Sequence, residues 1–137
     1  MSIRQSKLVN LADIEGKVSP HAAQVRGALK MRAEALSYVK DVAALAAYLG
    51  GAVENPGLGE DWAVSKEIYP GVSILFAFNR ADEEFPARVR ALYSGDKVRT
   101  VKGDELAAVT ISCANQLLRY VRQSNPDTKL PEVCYKV

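Results

Sequence analysis

The chain has 137 residues, 48% hydrophobic and 25% charged, and its 18 basic and 16 acidic residues leave a formal net charge of +2. That length suits a single domain, residues 1–137, able to bury a core without disulfide or metal staples. The composition excludes a disordered chain, and so small a charge argues against nucleic acid, which needs a clustered basic face.

No run of about 18 apolar residues occurs, so no membrane-spanning helix is expected and no membrane partner. The opening MSIRQSKLVNLADIEGK lacks the apolar segment of a signal peptide, and a cytoplasmic location is the expectation. Cys113 and Cys134 fall in no CxxC pair and, with one histidine, are too few for a structural zinc within one chain. Both are expected as free thiols.

Residues 1–18 read as a polar, irregular lead-in arm, with a short helix over Asn10–Glu15 or an arm lying on a partner as the alternatives. Ser19-Pro20 then starts a helix, serine as cap and proline at the first helical position. Strong helix formers continue to Leu49, and Gly50-Gly51 stops them. One helix over Pro20–Leu49 is long for so small a domain. It breaks near Gly27 or Ser37, or its first half packs on a second subunit.

Ala52 to Asp61 is a loop by composition, with Pro56, Gly57 and Gly59 as breakers. Trp62–Tyr69 reads as a half-exposed strand, and Pro70-Gly71 as a turn. The chain is organised around Gly71–Val89. Within it Val72–Phe78 is apolar almost throughout and predicts a central strand buried on both faces. Asn79–Pro86 connects it to a strand over Ala87–Tyr93, where Val89, Ala91 and Tyr93 alternate with Arg88, Arg90 and Leu92. Lys97–Val101 is expected as a short, charged edge strand. Asp104 caps a second helix that ends near Gln123, with Leu106, Val109, Cys113, Leu117, Tyr120 and Val121 on its buried face. Residues 124–137 are expected as an extended tail whose apolar Leu130, Val133 and Tyr135 pin it to the body or to a partner. The fold class is α+β: one long or two shorter N-terminal helices and a C-terminal helix on an antiparallel sheet of three or four strands.

Asp82, Glu83 and Glu84 are the sharpest polar cluster. Three adjacent carboxylates suit a hard cation or an acid–base role, but a solvated loop tip, with Glu84 bonding the turn's backbone N–H groups, outweighs both because no spaced calcium pattern is present. Arg88 and Arg90 stand on one strand face beside them; an ion pair with the carboxylates outweighs an anion site. Together these five residues are the candidate ligand-binding set. No metal ligands and no catalytic residues are assigned, and no cofactor is indicated. His21 is expected exposed and without a partner, Cys113 buried and inert, and Cys134 exposed in the tail. Trp62, Tyr69, Phe76, Phe78, Phe85 and Tyr93 are read as core rather than as a base-stacking surface.

Over Leu45 to Val121 the chain resembles a family of domains of unknown function from anaerobic bacteria and archaea, whose members can carry an appended iron–sulphur domain. The resemblance rests on Leu49-Gly50-Gly51 closing an alanine-rich helix, and on Tyr69-Pro70-Gly71-Val72 leading into Ile74-Leu75-Phe76. It continues through Ala81-Asp82-Glu83-Glu84-Phe85-Pro86-Ala87, a strand ending Ala91-Leu92-Tyr93, and a helix opening Gly103-Asp104-Glu105-Leu106. Ala81 stands where the family pattern has glycine, and the chain has no iron–sulphur cysteine set. The resemblance implies the helix–sheet–helix order and draws attention to Asp82–Pro86; it carries over no activity.

Three functions compete on these residues. First is a non-catalytic cytoplasmic binding or assembly module, homodimeric or with a protein partner. Second is a small enzyme or cofactor-handling protein using Asp82–Glu84 with Arg88. Third is a single-strand nucleic-acid binder using Arg88, Arg90, Lys97 and Arg99.

Overall fold

The computed structural model describes residues 7–137. The elements run α1 (Leu11–Glu15), α2 (Pro20–Arg32), a 3-10 turn (Glu34–Tyr38), α3 (Val42–Leu49), β1 (Ala52–Glu54), β2 (Trp62–Tyr69), β3 (Val72–Asn79), β4 (Arg88–Ser94), a second 3-10 turn (Val98–Thr100), α4 (Gly103–Ser124) and a third (Glu132–Tyr135). The α+β reading holds. The four strands pair antiparallel in chain order, β1-β2-β3-β4.

The expected lead-in arm is ordered in its described part, residues 7–18. Val9 pairs with Tyr93 on the outer edge of β4, and α1 follows at once. Its start is dictated locally. Asn10 accepts from the Asp13 N–H and Asp13 returns the bond to the Asn10 N–H, each at 2.8 Å, closing a capping box.

Pro20–Leu49 is not one helix. Ser19 caps α2 through the Ala22 N–H as expected, and the break falls in the 3-10 turn that contains Ser37, one of the two expected places, rather than at Gly27. The 3-10 turn then buries Ala35, Leu36 and Val39 together, and Asp41 caps α3 through the Ala44 N–H. Continued straight, α2 would turn Ala35 and Val39 away from the face that buries Ala22, Val25 and Leu29, so the break lets all of them face the core. Gly50, at φ +86°, ends α3 in the left-handed conformation, as expected.

One face of the sheet carries Trp62, Val64, Ile74, Phe76, Phe78, Val89, Ala91 and Tyr93 into a core shared with α2, α3 and α4. Trp62 stacks on Phe78 across the β2–β3 pair, ring centres 5.0 Å apart. Tyr93 is fully buried and bonds the Thr110 hydroxyl at 2.6 Å, which in turn donates to the Leu106 carbonyl. The other face is also closed at its middle, over Ala63, Leu75 and Ala77, with Leu8 packed on them. Strand β3 is thus buried on both faces, and the first four residues of β2 are buried rather than half-exposed.

Three further expectations fail. Ala52–Glu54 is a strand, not loop, because Gly51 lets the chain lie against Ser65: a Cβ there would meet the Ser65 carbonyl oxygen at 1.7 Å. Lys97–Val101 adds no strand and holds a 3-10 turn. The tail is not simply extended. It turns at Glu132–Tyr135; Leu130 pins it to the body as expected, Cys134 is buried beside it, and Arg122 donates to the carbonyls of Cys134 and Val137.

Candidate functional site

Strand β4 is the last in the sheet. Beyond the Val9 bridge its outer edge faces α1 and α2 across a groove of about 530 Å³. Leu11, Val25, Leu29, Val89 and Ala91 form the apolar floor, all buried. Arg26 and Lys30 stand on the α2 wall, one helical turn apart, and Arg88 and Arg90 stand on β4. All four cations are exposed, and none makes an ion pair among the described residues. No aspartate, glutamate, histidine or cysteine lines the groove. Tyr93 does, but its hydroxyl is held by Thr110, and burial pushes its pKa up to about 12.

Of the five residues singled out in the sequence, the structure gathers two here. Arg88 and Arg90 line the groove, while Asp82, Glu83 and Glu84 lie outside it, exposed on the β3–β4 connection. The expected Arg–carboxylate ion pair is not formed. Arg88 lies over the Phe85 ring, 5.5 Å from its centre, and Arg90 donates to the Leu58 carbonyl at 3.3 Å. The backbone-bonding carboxylate of the turn is Asp82, not Glu84. Asp82 accepts the N–H groups of Phe85 at 2.7 Å and Glu84 at 2.9 Å. These bonds, Phe85 first, hold its carboxyl below the ordinary value of 3.8, and the Arg88 charge adds to the effect.

A depressed carboxyl contributes order above its ordinary value and loses it as pH falls through the folded value. Asp82→Ala is therefore expected to speed amide hydrogen exchange at Glu84 and Phe85 at neutral pH, and wild type to lose that protection below about pH 3.8. The site is exposed, so the effect stays local to the turn and global stability is expected to be nearly unchanged. Unchanged exchange at both amides in the variant would show that the turn does not depend on Asp82.

His21 is half-buried and not alone: its Nδ1 lies 2.9 Å from the Glu15 carboxylate. The Ser19 hydroxyl donates to the same oxygen at 2.6 Å, and these two bonds, serine first, hold the Glu15 carboxyl below its ordinary value. The capping expected of Asp104 is also displaced. The α4 N-cap is Lys102 with no side-chain bond, and Glu15 fills the space beside Gly103. Both cysteines are buried, Cys134 against expectation, and burial raises both thiols, keeping them neutral. Among the described residues no group of three or more metal-ligating side chains is present, and no helix is long and apolar enough to cross a membrane.

The aromatic residues divide. Trp62, Phe76, Phe78 and Tyr93 are core, while Phe85 is 55% exposed under Arg88. Lys97 and Arg99 lie off the sheet, and Arg99 donates to the Asp13 carbonyl.

Sequence reasoning missed Arg26 and Lys30, whose four-residue spacing on α2 was the available signal. It also missed Glu54, which is buried and accepts the Ser65 hydroxyl at 2.6 Å. The family model described as domain of unknown function (DUF3786) matches residues 4–116. No curated protein and no solved structure matches the chain.

Proposed function

The chain belongs to the DUF3786 family, and from that premise we propose that it is a non-catalytic, cytoplasmic binding module whose site is the groove between α2 and β4. One observation carries this reading: an apolar floor ringed by Arg26, Lys30, Arg88 and Arg90, with no carboxylate in the lining. Ligand sites run to about 300–1,000 Å³ with a few polar groups that set orientation. A ligand with an apolar body and an anionic group matches this wall chemistry. The lining has no carboxylate, imidazole or thiol, the Tyr93 hydroxyl is engaged by Thr110, and Lys30 stands exposed at the rim, which favours binding over catalysis.

The enzyme reading draws less support, because Asp82 is engaged by its own turn and the three carboxylates lie outside the groove. The single-strand reading needs several exposed aromatics beside a basic sheet face, and Trp62, Phe76, Phe78 and Tyr93 are turned into the core, leaving Phe85 exposed under Arg88. Self-association remains part of the proposal at the N-terminal end, where Val18 is 95% and Met31 72% exposed.

The test uses 8-anilinonaphthalene-1-sulfonate, an apolar anion that fluoresces when bound. Wild type is expected to bind one equivalent, weakened by added salt. Arg26→Glu/Lys30→Glu, at two exposed positions, is expected to bind it about tenfold more weakly, or about 1.4 kcal/mol. Equal affinity in the double variant, or no saturable binding by wild type, overturns the site.

A further inference from the structure

We infer that the groove's occupant is an extended acidic peptide segment that joins β4 as an added antiparallel strand; this deepens the binding reading above and rests on it. The argument starts from the backbone. Val9 and Tyr93 exchange both their hydrogen bonds, at 2.9 and 2.7 Å, so the Tyr93 N–H and C=O face away from β3. In an antiparallel ladder that direction alternates along the strand. The N–H and C=O of Ala91 and Val89 therefore face outward too, into the groove. Among the described residues nothing hydrogen-bonds them.

The chain's own segment serves this edge for one residue pair and then leaves it. The Asn10–Asp13 capping box winds the next residues into α1, so the strand begun at Val9 stops where the groove begins. The open stretch, Arg88 to Ala91, accepts about four residues, or about 13 Å of strand. Charged residues on an edge commonly serve to discourage pairing. Here α2 stands beside the edge with an apolar wall and leaves a space between them, which an edge that is merely protected does not require.

The two sides of the edge specify the ligand. Successive residues of an added strand point to opposite faces. One set would meet Val25, Leu29, Val89 and Ala91, and calls for apolar side chains. The other would lie on the face of Arg88 and Arg90, and calls for carboxylates. Arg26 and Lys30 at the rim reinforce the preference for negative charge. The pattern is thus alternating apolar and acidic residues in an extended segment, held by main-chain bonds as in other strand-addition complexes.

The test titrates full-length, 15N-labelled protein with an eight-residue peptide alternating valine and glutamate. The expected result is displacement of bound 8-anilinonaphthalene-1-sulfonate and at least tenfold slower hydrogen exchange at the Val89 and Ala91 amides. Two further peptides carry backbone N-methyl groups, one on its odd and one on its even residues. The one blocked on its edge-facing side should bind at least tenfold more weakly. Peptide binding that leaves both amides unprotected overturns strand addition. If the dye binds but the peptide neither binds nor displaces it, the strand inference falls while the anion-binding groove stands; if neither binds, both fall. Protection of the two amides that grows with protein concentration in the absence of peptide would assign the edge to a second copy of this chain, and would also overturn the proposal.

Discussion

Phe76→Ala is expected to destabilise the protein by about 4 kcal/mol. The ring is fully buried at the middle of β3, opposite Val64 on β2 and Ala91 on β4. Its side chain faces the helices, so its removal leaves a cavity with the sheet on one side and helical side chains on the other. A strand held by two neighbours cannot slide to fill that space, which places the cost at about the middle of the range for truncating a buried aromatic residue. Domains of this size are stable by about 5–15 kcal/mol, so the variant approaches the edge of folding. Urea denaturation checks this: the midpoint should fall while the slope is unchanged. A loss below about 1.5 kcal/mol would mean that the layers close over the gap, contrary to the packing described.

Gly95→Ala is expected to cost about 3 kcal/mol, from two sources that act together. Gly95 turns the chain after β4 at φ +117°, a conformation that side chains disfavour. A Cβ there would also meet the Gly71 carbonyl oxygen at 2.0 Å and its carbon at 2.8 Å. Backbone cannot rotate away as a flexible side chain does, so the Pro70-Gly71 turn must shift and pull the start of β3 with it. Gly27→Ala is the internal comparison. It lies within α2 with nothing within 4 Å of an added Cβ and no positive φ. It should raise stability by about 0.5–1 kcal/mol, because alanine suits a helix interior better than glycine. Equal stabilities for the two variants would show that the close approach of Gly95 to Gly71 does not constrain the fold.

Much of the architecture was legible because local and global signals agreed. Val72–Phe78 reads as a strand buried on both sides, and it is one. The alternation of Arg88, Arg90 and Leu92 against Val89, Ala91 and Tyr93 gives the two faces of β4. Ser19-Pro20 and Gly50 mark real helix ends. What stayed hidden depends on contacts between distant parts of the chain. A break near Ser37 was legible, but no breaker residue stands at Ala33, where α2 ends so that Ala35 and Val39 reach the core with Ala22, Val25 and Leu29. Strand β1 is three residues long and exists through the close approach of Gly51 to Ser65, which composition does not show. The groove is the clearest case. Arg88 and Arg90 stood out, but their partners Arg26 and Lys30 lie some sixty residues earlier, and the floor comes from α1, α2 and β4 together. The acidic triplet looked sharper in one dimension than in three, since its first member spends its carboxylate on its own turn.

The recurring stretch of sequence and the unit that folds do not share a boundary. The family match stops at residue 116, partway along α4, which runs to Ser124. Leu117, Leu118 and Val121, just beyond that point, are at most 1% exposed, and Arg122 ties down the closing turn with Cys134 beneath it. A fragment cut at the limit of the shared pattern would lose those three side chains and open the core along the last turns of α4. At about 1.5–3 kcal/mol for each buried aliphatic side chain, that loss is comparable to the whole stability of a domain this size. The matched stretch, residues 4–116, is therefore expected not to fold on its own, and the final twenty-one residues supply the remainder of the core.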